Sequence, residues 1–252
     1  MLERVSDTMI DIHTHILPGV DDGARDLAES LAMARLAVAD GLTHLIATPH
    51  HRDYTPLSRL EVAQRVAQLQ AELDKANIPL TLLPGYEVRL YDDMFDDWAK
   101  ELTGPLAHSR YVLAEPLFHH YDKQTDAMLF ELFERGYIPV MAHPERIRPI
   151  QDNLALLEPF LARGGLTQIT ATSLTSNGVW RDKNVAETML RNGMVHIIAS
   201  DAHHAYHRPP TLAAARDAAA IIVGQAEAEA MVSARPTAII KDEPISITPV
   251  FI

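Results

Sequence analysis

Apolar positions follow two rhythms along the chain. Short runs rich in Ile, Val and Leu fall at 9–12, 44–48, 80–83, 111–115, 138–142, 166–170 and 195–199, and each predicts a strand. Longer stretches between them repeat at helical spacing. In 24–40, Leu27, Leu31, Ala34 and Val38 share one face, and Gly41 comes next as a stop. Further helices are expected at 57–76, 122–135, 153–163, 183–191 and 210–223. Strand, loop and helix in repeated order argue for a parallel α/β architecture. Seven such units without a Gly-rich dinucleotide fingerprint favour a closed, TIM-like (β/α)7 barrel over a doubly wound sheet. No linker or repeat interrupts the series, so 1–252 is expected to be one domain. The tail at 236–252 reads as a last strand with an extended end.

The residues just past each strand carry the chemistry. The first strand runs into His13-Thr14-His15 and the second into Thr48-Pro49-His50-His51. The third leads to Glu87, the fourth ends at Glu115, and the fifth meets His143-Pro144-Glu145-Arg146. The last reaches Asp201 and His203. In a barrel these positions converge on the face where active sites are built. Imidazole and carboxylate are ligands of borderline divalent metals such as manganese, iron and zinc. Alternation along a strand aims His13 and His15 the same way, as a chelating fork. Carboxylates crowded at one mouth repel one another unless cations neutralise them. His44, His108, His119, His120, His196 and His204 lack this context and read as ordinary structural histidines, as Asp92, Asp93, Asp96 and Asp97 read as a solvated acidic surface.

Composition narrows the choice. The chain has no cysteine, which removes disulfides, thiolate metal sites and cysteine nucleophiles. A net charge of −12 argues against nucleic acid and anionic membranes as partners. No apolar run reaches membrane-spanning length and the first residues show no signal-peptide stretch, so a cytoplasmic protein without membrane insertion is expected.

The strings DIHTHILPGVDDG at 11–23, ATPHH at 47–51, HPER at 143–146 and ASDAH at 199–203 resemble the PHP (polymerase and histidinol phosphatase) superfamily. They are most similar to its bacterial capsule and exopolysaccharide branch of metal-dependent protein tyrosine phosphatases. The resemblance implies a distorted barrel of seven β/α units and three divalent ions, usually manganese, with iron, cobalt or zinc as alternatives. Carried onto this chain, it allots His13, His15, Glu87 and Asp201 to one ion. Glu87 as a bridge joins Glu115 and His143 at a second, and Asp22, His50 and His203 hold the third. Asp21 stands beside Asp22 as a rival ligand. The implied substrate is the phosphotyrosine tail of a polysaccharide-synthesis kinase. The segments 170–180 and 52–54 match the family pattern loosely, which bears on substrate choice.

The chemistry expected is phosphomonoester hydrolysis by metal-activated hydroxide. Four ligand carboxylates against three divalent ions leave the pocket electropositive inside an acidic protein. Arg146 and Arg208 are the candidates to clamp phosphate oxygens with planar guanidinium forks. A phenol leaves with a pKa near 10, so a strong general acid is less necessary. Tyr86 and His51 are the nearest weak candidates. The rival within this chemistry is a small-molecule phosphatase, such as one for histidinol phosphate. A rival of another class is a regulatory binding protein with a vestigial metal site.

Overall fold

The computed structural model describes residues 8–175 and 179–246. Eight parallel strands are found among them, arranged as two sheets. The first holds β1 (Met9–Thr14), β2 (Leu42–Ala47) and β3 (Thr81–Pro84) in that order. The second runs β4 (Glu87–Arg89), β5 (Tyr111–Glu115), β6 (Ile138–Ala142), β7 (Leu166–Thr170) and β8 (Ile197–Ala199). The sequence suggested seven strands. The eighth is β4, three residues long, cut from β3 at Gly85-Tyr86 and too short to show periodicity. Isolated parallel bridges join the sheets, Thr14 at the end of β1 to Ala202 beyond β8, and His50 beyond β2 to Glu87 of β4.

The helices are α1 (Leu27–Ala39), α2 (Arg59–Lys75), α3 (Met94–Ala99), α4 (Lys123–Glu134), α5 (Arg148–Asp152), α6 (Glu158–Ala162), α7 (Trp180–Arg191), α8 (Ala213–Val223), α9 (Gln225–Val232) and α10 (Ala234–Ile240). Their starts are chemically marked. Asp26 caps α1, Ser58 and Glu61 form a reciprocal capping box at α2, and Asp122 caps α4. Among the described residues no helix is long and apolar enough to cross a membrane.

Two apolar clusters hold the scaffold. One fills the space between strands and helices. The other gathers strand residues from both sheets: Ile10, Ile12, Ile46, Tyr111, Leu113, Val140, Leu166 and Ile197. Ile239 of α10 joins this second cluster fully buried. The strand expected from 236 onward is therefore corrected to a helix through Ile240, and 247–252 lie outside the described residues. Pro236 stands in the first turn of that helix, where its missing N–H costs nothing, and burial of Ile239 overrides the β preference of the Ile pair.

Candidate metal centre

β1 is not a regular strand. Its pairing with β2 slips between Asp11 and Thr14, which inserts one extra residue. Ile12 joins the shared inner cluster, and the next residue, His13, also faces inward toward Gln168 and Asp201. A bulge of this kind re-aims one side chain without ending the strand. Asp11 braces the distortion: its Oδ1 accepts from the His13 amide at 3.2 Å and the Ser200 amide at 3.1 Å. One carboxylate thereby ties the turn bearing His13 to the turn bearing Asp201.

Two further ligand candidates sit in strained backbone. His143 (φ 34°) and Asp201 (φ 52°) adopt the left-handed conformation just past β6 and β8. Non-glycine residues occupy this region at a cost and concentrate at functional sites. Gly23 is required sterically, since a Cβ there would lie 2.0 Å from the His15 carbonyl oxygen. The Asp21-Asp22-Gly23 turn can therefore fold directly over His15.

All nine residues expected from the sequence surround one mouth. His13 Nε2 lies 3.3 Å from Glu87 Oε1 and 3.3 Å from Asp201 Oδ1. His15 Nε2 is 3.5 Å from Glu87 Oε2 and 3.5 Å from Asp201 Oδ1. His50 and His143 approach Glu87 from its two oxygens, each at 2.9 Å. His143 Nε2 is 3.8 Å from Glu115 Oε1. Asp22 Oδ1 lies between His50 Nε2 at 3.3 Å and His203 Nε2 at 3.4 Å.

Four sets of donor atoms converge closely enough to share an ion: His15, Asp22, His50 and His203; His13, His15 and Glu87; His13, His143 and Asp201; and His50, Glu87 and Glu115. The sets overlap at His13, His15, His50 and Glu87. They differ from the family allotment in placing His15 also beside Asp22, and His50 beside Glu115.

The geometry separates Asp21 from Asp22. Asp21 Oδ2 accepts from His15 Nδ1 at 2.7 Å and from the His50 amide at 3.1 Å, while Oδ1 accepts from the Gly23 amide at 3.0 Å. Its bonding capacity goes to orienting His15. Asp22, half exposed, turns its carboxylate to two imidazoles. Gln168, absent from the sequence-based candidates, does for His13 what Asp21 does for His15: its Oε1 accepts from Nδ1 at 2.9 Å. Both bonds leave Nε2 facing the cluster, as metal-ligating histidines require.

Electrostatics match this reading of the donor set. Burial pulls the His15 imidazole down, yet Asp201, Asp21 and Glu87 outweigh it and hold it well above its ordinary value. Burial, then the charge of Glu87, pushes Glu115 up to about 8. Carboxylates packed this tightly demand positive charge, from protons on the imidazoles or from cations among them. Glu87 Oε2 and Glu115 Oε2 receive no well-directed hydrogen bond, although His50 Nδ1 lies 2.9 Å from the first and Arg89 Nε 3.0 Å from the second, and His143 Nδ1 is buried without a partner. These carboxylate oxygens and the imidazole nitrogens that face them fit divalent cations of nitrogen and oxygen preference.

Arg146 and Arg208 both reach Asp201 Oδ2, Arg146 through Nη1 at 2.7 Å and Arg208 through Nη2. Asp201 thus faces imidazoles with one oxygen and guanidiniums with the other. The arginines open into a cavity of about 210 Å³ lined also by Asp22, His50, Asp53, Tyr54, Glu87, Arg89, Glu115, Phe118, His143 and His203. Arg89, Tyr54 and Phe118 belong to short or irregular segments and carried no signal in the sequence pattern. The two candidate acids lie elsewhere: Tyr86 donates to the Leu57 carbonyl, and His51 is buried against Tyr91 and Asp97. Asp97 is accordingly no free surface charge, since it also binds Arg52 and pins the loop beyond His50.

Parallel strands that deliver imidazoles, carboxylates and two arginines to one cavity define a metal-dependent hydrolase type of site. The chain belongs to the capsular polysaccharide synthesis CpsB/CapC family, which it matches over residues 9–241. It is 41% identical over 197 residues to the tyrosine-protein phosphatase YwqE of Bacillus subtilis (strain 168), covering 78% of each chain. It is 35% identical over 205 residues to the putative tyrosine-protein phosphatase CapC of Staphylococcus aureus, covering 80% of this chain and 79% of that one. A chain from the crystal structures of B. subtilis YwqE and Streptococcus pneumoniae CpsB, described as unique metal-dependent tyrosine phosphatases, superposes with a TM-score of 0.89 at 36% identity. That match covers 96% of this chain and 98% of the other. Histidinol phosphate phosphatase of Lactococcus lactis, at TM-score 0.55 and 15% identity, shares the fold.

Proposed function

We propose that the chain is a metal-dependent protein tyrosine phosphatase of polysaccharide synthesis, acting on a phosphorylated tyrosine kinase in the cytoplasm. The observation that carries this reading is the position of Arg146 and Arg208, which open into the same cavity as the converging imidazoles and carboxylates. The two sheets, joined by the Thr14–Ala202 and His50–Glu87 bridges, are read as one distorted seven-unit barrel forming a single domain, with β3 and β4 as parts of one unit.

His13, His15, Asp22, His50, Glu87, Glu115, His143, Asp201 and His203 would hold three divalent ions, manganese in the first instance. When bound, such ions supply Lewis acidity toward phosphate oxygens and lower the pKa of a coordinated water. The rest belongs to the chain's own residues. Arg146 and Arg208 bind phosphate oxygens through guanidinium N–H groups and share Asp201 as an anchor. Gln168 and Asp21 keep His13 and His15 in the tautomer that presents Nε2. A phenol leaving group has little need of a strong general acid.

The test is chelation and then addition of manganese, zinc or cobalt, with a tyrosine-phosphorylated peptide offered beside histidinol phosphate. Rescue by manganese with preference for the peptide is expected, together with about three metal equivalents in the reloaded protein. Preference for the small ester would overturn the substrate, and activity surviving complete metal removal would overturn the mechanism.

A further inference from the structure

The cavity holds two aromatic rings that the chemistry above does not use. Tyr54, from the loop after β2, stacks on His50 with ring centroids 5.8 Å apart and planes within 14°. Phe118, from the loop after β5, stacks on His143 at 5.4 Å and 20°. His50 and His143 in turn face the two different oxygens of Glu87. The rings therefore stand on the two sides of one carboxylate, each outside an imidazole. Arg146 lies with its guanidinium carbon 5.0 Å from the Phe118 ring centre, so one wall is shared between the phosphate clamp and an aromatic face. Tyr54 remains 41% exposed, and Phe118 is half-buried, although both are large apolar side chains.

We infer that Tyr54 and Phe118 are specificity-determining residues that grip the aryl group of the substrate, so that the cavity selects phenyl over alkyl phosphate esters. This inference rests on the phosphatase reading and deepens it. Metal ions and guanidiniums recognise the phosphate, which is the same in every monoester. Discrimination has to come from contacts to the group beyond it. Aromatic pairs in offset-stacked or edge-on geometry contribute about 0.5–1.5 kcal/mol beyond area burial, equivalent to roughly 2–10-fold per ring.

The experiment compares the manganese-loaded wild type with Tyr54→Leu, Phe118→Leu and the double variant. One readout is the ratio of kcat/KM for a phosphotyrosine peptide to that for the matched phosphoserine peptide. A ratio is insensitive to the fraction of folded or fully loaded enzyme, so a partial folding defect does not mimic the effect. The second readout needs no turnover: the affinity for phenylphosphonate relative to methylphosphonate, measured by calorimetry. Each single variant is expected to lower both ratios by roughly 2–10-fold, with Tyr54→Phe and Phe118→Tyr retaining them. Unchanged ratios in the double variant would overturn the inference and leave the rings as supports for His50 and His143. A wild type that binds both phosphonates but hydrolyses neither ester would remove the phosphatase reading, while the binding ratio would still judge the aromatic walls.

Discussion

Where the strands begin, Ile10, Tyr111, Val140, Leu166 and Ile197 meet in a dry cluster, closed from below by Ile239. Where they end, inward positions of β1 and β5 carry His13 and Glu115, with Asp201 just past β8 and Glu87 and His143 beside them. Histidine shows the contrast most directly. His196, just before β8, is buried with its Nδ1 accepting from the Thr167 amide at 3.1 Å. Burial, then the nearby Arg235, pushes it down to about 4. His13 is equally buried, yet Glu87 and Asp201 overcome the desolvation and raise it. The same residue type thus serves packing at one end and charge chemistry at the other, according to whether a carboxylate lies within reach. Stability is concentrated at one end and function at the other.

The largest effect should come from Asp201→Asn, which weakens a ligand candidate and the shared anchor of both arginines. A loss in kcat/KM on the order of 10³-fold per folded molecule is expected, with a lower thermal midpoint in a protein that still folds, because His13, His15 and Arg208 hold the Asp201 carboxylate ionised and lose that partner. A collapse of folding together with activity would break the separation of the two ends. Ile239→Ala should do the reverse. It should cost about 2–5 kcal/mol in urea unfolding while leaving kcat per folded molecule unchanged.

His196 sharpens the comparison through pH. The unfolded chain protonates it below about 6.5, whereas the folded protein resists until about 4. Its contribution to stability is therefore full above pH 6.5 and lost progressively as pH falls toward 4. Between pH 7 and pH 5 this amounts to about 2 kcal/mol. His196→Asn, which keeps an acceptor for the Thr167 amide, should remove that part of the acid limb. An identical acid limb in variant and wild type would show that His196 does not enter folding neutral. An effect of similar size, read at the other end, is expected from Gln168→Leu, a positioning change behind His13. It should weaken metal affinity or activity roughly 10–100-fold without altering the aryl-to-alkyl preference.

Much of this was legible in the chain. The strands at 111–115, 138–142 and 166–170 coincide with β5, β6 and β7, because buried parallel strands are short apolar runs between helices. Eight of the nine ligand candidates could be named because they lie at or soon after the end of such a run, whereas Asp22 came only from the family resemblance. Other features left no local trace. The extra residue in β1 cannot be seen in a run whose register depends on β2. Glu87 starts a strand too short to announce itself, and the tail reads as β until Ile239 finds its cluster. Asp21 and Asp22 are adjacent and chemically identical. Only the turn over His15 decides which carboxylate orients an imidazole and which faces the cluster.

By itself the sequence determined the parallel α/β alternation, the absence of thiol chemistry and the set of residues able to bind cations at strand ends. These are properties of composition and of short-range periodicity, which local chemistry makes visible. Tertiary structure alone decided that Gln168 stands behind His13, that Arg146 and Arg208 share Asp201, and that Tyr54 and Phe118 flank Glu87. Such relations join residues tens of positions or more apart, and their geometry exists only once the strands have taken their register.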